Sequence, residues 1–547
     1  MATDPHTLDT KDSRASHVED AKGGDTPATP AASGTQDLAA TFYEEYAGEA
    51  RDIGPEENRR VLWKIDRYLM PIICYIYFCQ QLDKSTLSFA SVYDLKQAAN
   101  LQGQQYAWLG SIVYFAQLVF QPLSVYALVR FPVDIWISGC FLAWGASLCI
   151  MTAMTSFPGL AVMRFFLGGF EASIAPSMLI VVSMWWTRRE QPLRNNIWYS
   201  TNGLAAILGS LMSWGLGHTK TSLYKYQLIF LVPGIISVAL AIPTFWLFPR
   251  HPVKARFLSE DDKYVALERI RLNNTGTQNT QFKWSQVREC LIDPKSWMWL
   301  LMIFTVSVVS GGITTFGPLI LKGFGLSTFD TILYNMIPGG ISIFTNIASA
   351  LIIQYTKYKA PVLFTASLFP LAGAAALFTI PHTAENKNKL LAVYFILQVF
   401  QCITPIVYSW CFANTAGHTK KTTMTGMMYV GLCVGNIVGP QLYKSHQAPE
   451  YKEGLQANLV CLCALSALIV AQTVYLKYLN RRNVARRRAK GKTGQVLDYS
   501  LEASSRWAGI RADQAAKDAA EGHEEEHNAQ AFMDLTDFQN EDFIYSL

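Results

Sequence analysis

The sequence predicts an all-α membrane protein of twelve transmembrane helices in two six-helix bundles. Three observations predict it. Half of the 547 residues are apolar and only 16% are charged, against roughly a quarter in soluble globular chains. The deficit is local: the two ends are polar, and the stretch between them is a series of apolar runs of about the 20 residues that cross a bilayer core. Backbone polar groups in lipid must be satisfied within their own segment, so such runs read as helices. Finally, the runs divide six and six around one long polar segment, the arrangement expected of paired bundles.

The predicted spans are 64–88, 106–129, 134–154, 158–186, 195–216, 227–248, 297–321, 329–355, 360–380, 390–414, 421–443 and 457–479. They define a disordered cytoplasmic N-tail over 1–60, bundles over 61–248 and 297–480, a cytoplasmic middle loop over 249–296 and a cytoplasmic C-tail over 481–547. Residues Met1 to Gly48 are rich in Ser, Thr, Ala, Pro and Asp, which suits disorder and lacks a signal peptide. Orientation follows the basic residues. Arg59, Arg60, Arg67, Arg130, Arg188, Arg189, Arg194, Arg250, Arg256 and the run Arg481–Arg488 share the side of the tails and the middle loop; the opposite loops carry lysines but no arginine. Both termini are therefore expected in the cytoplasm of a multi-pass protein of the plasma membrane. Within the loop, Ser259 can cap a short amphipathic helix with Asp261 and Asp262 at its start and Tyr264, Val265, Leu267 and Ile270 on one face. The Asn273-Asn274-Thr275 sequon is then cytoplasmic and unmodified.

Ionisable residues inside spans are costly and mark function. The first span carries Asp83 and Lys84; the fourth carries Arg164 and Glu171, seven residues apart and so on one helix face. Two acids and two bases can neutralise one another across a shared cavity, and an unpaired charge there costs several kcal/mol. A carboxylate whose cationic partner is taken by a substrate anion gains a proton, which couples anion uptake to protons. A static ion-pair network joining the two spans is the structural alternative. Asp66-Arg67, at the end of the first span, suits an interfacial anchor or a gate between halves. The second half offers neutral groups: Asn335 and Asn346 in the eighth span, Gln398 and Tyr408 in the tenth, Tyr429 and Asn436 in the eleventh. Tyr114, Gln117 and Gln121 lie in the second. Any of them can orient substrate or simply bond between helices. Gly431, Gly435 and Gly439 form a smooth ridge suited to close packing, and Pro338-Gly339-Gly340 weakens the eighth helix in mid-membrane.

These residues carry a resemblance. Lys64-Ile65-Asp66-Arg67 through Leu82-Asp83-Lys84, the run Arg164-Phe165-Phe166-Leu167-Gly168 to Glu171-Ala172, Trp185-Trp186-Thr187-Arg188-Arg189-Glu190, Phe248-Pro249 through Ser259, and the ending Asp534 to Tyr545 resemble the fungal allantoate permease group of the anion:cation symporters, within the major facilitator superfamily. The resemblance covers Trp63 to Leu479 and the extreme C-terminus. It implies that Asp83 and Glu171 titrate protons, that Arg164 pairs with Asp83, and that Lys84 contacts a substrate carboxylate or Glu171. Lysine at 84, where many relatives have arginine, lacks bidentate geometry. The superfamily's charged motif after the second span is replaced by Leu128-Val129-Arg130-Phe131-Pro132-Val133-Asp134. The fifth span lacks the glycine-proline signature of drug/proton antiporters.

The expected function is proton-coupled import of a small organic anion resembling allantoate, a vitamin acid or an amino acid. Tyr114, Gln117, Asn335 and Gln398, with Lys84 and Arg164, are the expected substrate contacts. Export of a secondary metabolite is the alternative. A transport-dead sensor lacks a reason for two titratable carboxylates. An enzyme is not expected: the chain has no P-loop, dinucleotide fingerprint or nucleophile elbow. Ten cysteines, Cys74, Cys140, Cys149, Cys433, Cys461 and Cys463 among them, show no metal-ligand spacing. No cofactor, metal or nucleic acid is expected, and the carrier is expected to act as a monomer in the lipid bilayer. The acidic run Glu521–Glu526 reads as solvated tail.

Overall fold

The computed structural model describes residues 54–187, 190–271, 283–489, 535–541 and 543–547. The N-tail, the Asn273 sequon and the acidic run lie outside them. Every regular element among the described residues is helical. Span 1 is Pro55–Val92, span 2 Gln105–Arg130, span 3 Val133–Met151, span 5 Gln191–His218 and span 6 Lys225–Leu247. Span 7 is Pro294–Gly323, span 9 Ala360–Thr379, span 11 His418–Gln441 and span 12 Lys452–Ala489. Among the described residues, nine of the spans carry a long apolar window. Spans 1, 5 and 11 are more polar and pack as full members of the bundle.

Three spans are discontinuous, and each is interrupted just before a proline. Span 4 is Phe157–Glu171 followed by Ile174–Trp185; span 8 is Thr328–Tyr334 followed by Ile337–Thr356; span 10 joins Lys387–Leu397 to Ile403–Ala413 through the 3-10 turn Gln398–Cys402. Proline inside a helix cannot donate to the carbonyl four residues back and clashes with it. Pro176, Pro338 and Pro405 stand four residues after Ala172, Tyr334 and Gln401, at the three interruptions. Pro338 accounts for the break anticipated in the eighth span. Those at Pro176 and Pro405 fall in runs expected to be continuous.

Spans 1–6 and 7–12 form the two halves. Span 1 packs on spans 5 and 6, and span 7 on spans 11 and 12. The glycine ridge of span 11 faces span 7: a Cβ on Gly435 would stand 2.6 Å from the Phe304 carbonyl. Across the halves, span 2 meets span 11, span 5 meets span 8 and span 1 meets span 7. Gly203 and Gly339 bring the backbones of spans 5 and 8 together, since a Cβ on Gly339 would lie 2.5 Å from the Gly203 carbonyl.

The side away from the middle loop is sealed between halves. Lys322 Nζ donates to the Val92 carbonyl at 2.8 Å, Tyr106 Oη to the Thr315 carbonyl at 2.6 Å and Ser111 Oγ to the Ile437 carbonyl at 2.7 Å. Ser445 Oγ donates to the Gly103 carbonyl. His218 stacks on Phe329 with ring centres 4.1 Å apart.

On the loop side, the amphipathic helix is Glu260–Arg271, and the Asp262 N–H donates to its cap Ser259 Oγ at 3.3 Å. It belongs to the first half: Asp262 takes Arg60 at 3.1 Å and Lys64, and Arg269 Nη2 reaches Glu190 at 2.8 Å. Burial alone would raise the Asp262 carboxyl, but Lys64, Ser259 and Arg60 hold it below the usual carboxylate range. A second loop helix, Trp284–Ile292, joins the other half through Glu289 and Lys420, 2.8 Å apart. The Asp66 gate between halves is not found. Asp66 accepts from Arg194 at 2.6 Å and Trp186 at 2.7 Å, both in its own half, and so ties spans 1, 4 and 5 together.

Candidate functional site

The site is built where a broken helix meets a polar turn of span 1. Interruption of span 4 after Glu171 leaves that residue's carbonyl without its helical N–H, and Gln80 Nε2 supplies a hydrogen bond at 3.2 Å. The Glu171 side chain, 1% exposed, faces Lys84, whose Nζ lies 3.4 Å from Oε2. Gln117 Nε2 donates to the same oxygen at 3.4 Å, and Lys84 sits 5.9 Å from the Tyr114 ring centre. The structure thus brings Lys84, Glu171, Gln117 and Tyr114 together from spans 1, 2 and 4. The pairing of Lys84 with Glu171 is one of the two contacts that the sequence assigns to that lysine.

Asp83 points the other way around span 1. Its Oδ2 accepts two hydrogen bonds of 2.8 Å, from Trp144 Nε1 on span 3 and Ser237 Oγ on span 6. Its side chain is fully buried and Oδ1 has no partner. The expected Asp83–Arg164 pair is therefore absent: adjacent residues on a helix diverge by about 100°, so Asp83 and Lys84 cannot both face span 4. Trp144 and Ser237 are the partners of Asp83 that the sequence motifs did not point to. A signal existed for the serine: Ser237 and Thr244 are the hydroxyls of the run 227–248, and each meets a polar group on span 1, Thr244 bonding Tyr75 Oη at 2.7 Å. A tryptophan in an apolar run carries no such signal.

Arg164 is 3% exposed, and its Nε and Nη2 have no hydrogen-bond partner. It lines a cavity of about 30 Å³ with Lys84 and Tyr114 of its own half and Gly311, Thr314 and Thr315 of span 7. That volume holds one or two waters. The cavity lies at the seam between halves, beneath the Tyr106–Thr315 seal.

Asn335 and Gln398, the expected contacts from the second half, do not line it. Asn335 sits at the break in span 8, and Gln398, 2% exposed, in the 3-10 turn of span 10. Gln401 Nε2 donates to Gln398 Oε1 at 3.2 Å, while Gln398 Nε2 has no partner. Asn346 and Asn436 turn back onto their own helices, bonding the Ser342 and Leu432 carbonyls at 2.8 Å. All ten cysteines are free thiols, and the described residues contain no cluster of three or more potential metal ligands.

Comparison with known proteins agrees with this architecture. Residues 73–440 match the Major Facilitator Superfamily. The chain is 36% identical over 461 residues to an uncharacterized transporter of Schizosaccharomyces pombe, covering 84% of this chain and 87% of that one. It is 29% identical over 522 residues to the allantoate permease of Saccharomyces cerevisiae, covering 92% and 89%. A bacterial homologue of the human lysosomal transporter Spinster, in an inward-facing and unoccupied conformation, shares the fold with a TM-score of 0.60 at 14% identity, covering 78% of this chain and 99% of that one. The protein is thus a multi-pass membrane carrier of small molecules, not an enzyme, and it belongs to the major facilitator superfamily, in the group of fungal transporters that includes allantoate permease.

Proposed function

We propose that this carrier imports a small organic anion together with protons across the plasma membrane, with both termini in the cytoplasm. The observation that carries the reading is Arg164: a buried guanidinium with unused N–H groups, beside a cavity that also meets Lys84 and Tyr114. A carboxylate is the ligand that such donors fit best. Lys84 is shared between that cavity and Glu171. A substrate anion that draws Lys84 away leaves Glu171 buried without its cation, and a buried carboxylate in that position takes a proton. Asp83, with its free Oδ1, is the second proton carrier in this reading. Gln117 and Tyr114 position the first-half groups. Asn335 and Gln398 complete the substrate contacts from the second half once the halves rearrange. With the loop side cytoplasmic, the seal away from the loop closes the outer side of the carrier.

The test is flux in proteoliposomes. A panel of carboxylates, allantoate among them, is screened under an imposed pH gradient for wild type, Asp83→Asn and Glu171→Gln. The reading predicts that one compound drives proton entry, and that both variants exchange substrate without accumulating it. Normal accumulation by either variant removes that carboxylate from proton coupling. Proton-driven efflux in place of uptake would make the carrier an exporter.

A further inference from the structure

The last residues of the chain return to the membrane domain. Residues 535–541 and 543–547 run across the loop-side ends of spans 7, 9, 10, 11 and 12 without forming a helix. Their backbone is held by side chains of those spans. Trp410 Nε1 and Asn414 Nδ2 donate to the Ser546 carbonyl at 2.9 and 3.0 Å, and Asn480 brackets Tyr545 with two bonds, at 2.8 and 2.9 Å. Asn483 Nδ2 donates to the Phe543 carbonyl at 2.9 Å and Arg486 Nη1 to that of Phe538 at 2.8 Å. The Lys359 N–H donates to the Leu547 carbonyl at 2.8 Å.

The centre of the footprint is ionic. Asp537, fully buried, meets Lys420 at 2.9 Å and Lys295 at closer range, and accepts from Tyr545 Oη at 3.0 Å. Both lysines are buried and also face Asp293. Thr536 Oγ1 donates to Glu289 at 2.8 Å, so the segment also fastens the loop helix Trp284–Ile292. These partners all belong to the second half or to that helix. These contacts fasten the segment to the second half.

We propose that the loop-side face of the second half is a peptide-binding site, and that its ligand is the protein's own residues 535–547. Asparagine side chains that bracket a peptide backbone, a tryptophan N–H on a carbonyl, and a buried lysine pair that reaches a carboxylate of the segment are the elements of a peptide-recognition groove. Asp537 is its specificity determinant, because its carboxylate meets both Lys295 and Lys420 at the centre of the footprint, and a peptide lacking it forfeits both ion pairs. Forty-five residues, 490–534, separate the last span from the ligand segment. The bound segment is thus joined to its site through a long stretch of chain rather than by a turn.

The experiment uses the full chain with a protease site inserted between residues 490 and 534. The purified carrier in nanodiscs is cut after folding and passed through gel filtration. The cut C-terminal fragment is expected to co-elute. A synthetic peptide of residues 535–547 should displace it, and the same peptide with Asp537→Asn should need at least tenfold more. The carrier emptied by displacement should melt at a lower temperature and recover on adding the wild-type peptide. Prompt loss of the fragment on cutting, or equal displacement by both peptides, would overturn the proposal. None of these readouts requires a transported substrate, so the outcome is independent of the proton-symport reading.

Discussion

Replacing Lys84 by methionine isolates the charge balance at the site. The variant keeps most of the side-chain volume and removes the cation 3.4 Å from Glu171, whose side chain is fully buried. Two responses compete. Leaving the carboxylate ionised and unpaired costs about 3–5 kcal/mol. Protonating it at pH 7, from an ordinary glutamate value of about 4.3, costs about 3.7 kcal/mol. Either way the loss at pH 7 is about 3–4 kcal/mol. Protonation becomes cheap in acid. At pH 5 it costs only about 1 kcal/mol, so lowering the pH from 7 to 5 should restore roughly 2.6 kcal/mol relative to wild type. The sign follows from the variant binding a proton in its folded state that the unfolded chain releases above its own lower value. Such a group favours folding at low pH and loses that contribution as pH rises. The assay is thermal unfolding in nanodiscs at the two pH values for wild type, Lys84→Met and Lys84→Met/Glu171→Gln. Adding Glu171→Gln should remove most of the loss at pH 7 and flatten the pH dependence. Equal destabilisation at both pH values, or no rescue by the glutamine, would refute the argument that Lys84 is the cation balancing Glu171.

Three other predictions follow from the packing and the loop-side charges. Gly435→Leu drives a side chain into the Phe304 carbonyl and Ser307, and overpacking of this kind costs about 1–3 kcal/mol or more. Its yield of monodisperse carrier should collapse, whereas that of Gly426→Leu, where a Cβ meets nothing within 4 Å, should not. Lys322→Ala removes a charged hydrogen bond from the seal, worth about 1.5–3 kcal/mol. The alkylation rate of Thr314→Cys from the side away from the loop should rise by roughly 10-fold or more in that background. At Asp537, burial would raise the carboxyl, but Lys295 and Lys420 overcome it and hold it below its ordinary value of 3.8. A depressed carboxyl contributes to docking above that value and loses the contribution only as pH falls below it. Retention of the cut C-terminal fragment should therefore be flat from pH 7 to 5 and fail only in stronger acid.

Nine of the spans were legible because, among the described residues, each carries an apolar window of membrane length that hydropathy reports directly; spans 1, 5 and 11 are more polar and were read from shorter apolar runs. The amphipathic loop helix was legible for a similar local reason, Ser259 and the acidic first turn marking its start. What escaped the sequence depends on direction around a helix. Asp83 and Lys84 are neighbours in the chain, so grouping both with Arg164 and Glu171 was natural; about 100° of helical rotation sends one to spans 3 and 6 and the other to span 4. Of the two readings of Asp66, an anchor or a gate between halves, the anchor fits, since Arg194 and Trp186 of its own half satisfy it. The second loop helix escaped because its anchors, Lys420 and Thr536, lie far along the chain. The docking of the C-terminus escaped because Asp537 lies far along the chain from its partners Lys295 and Lys420, and many of the other contacts run through backbone carbonyls that no pattern of side chains announces.

The prolines join the legible part to the hidden part. Under a six-plus-six repeat, span 4 corresponds to span 10, and both are interrupted four residues before a proline. Broken helices in corresponding positions of two repeats point to the substrate path, because irregular backbone in a membrane is tolerated where it lines a cavity or is buried in protein. Glu171 immediately precedes one break and Gln398 begins the other, so two residues selected for their polarity occupy equivalent discontinuities. Pro405→Ala returns an N–H that can donate to the Gln401 carbonyl and removes the ring that clashes with it. Proline in a helix interior costs about 3 kcal/mol, so healing the turn should hold or raise thermal stability. If the turn serves only packing, transport should be unchanged. If the 3-10 segment presents Gln398 to substrate, the variant should be at least as stable as wild type yet bind substrate more weakly, with KM rising by roughly tenfold for a lost hydrogen bond of about 1 kcal/mol or slightly more. A stable variant with wild-type KM would sink the assignment of Gln398 and leave the break in span 10 as a feature of folding alone.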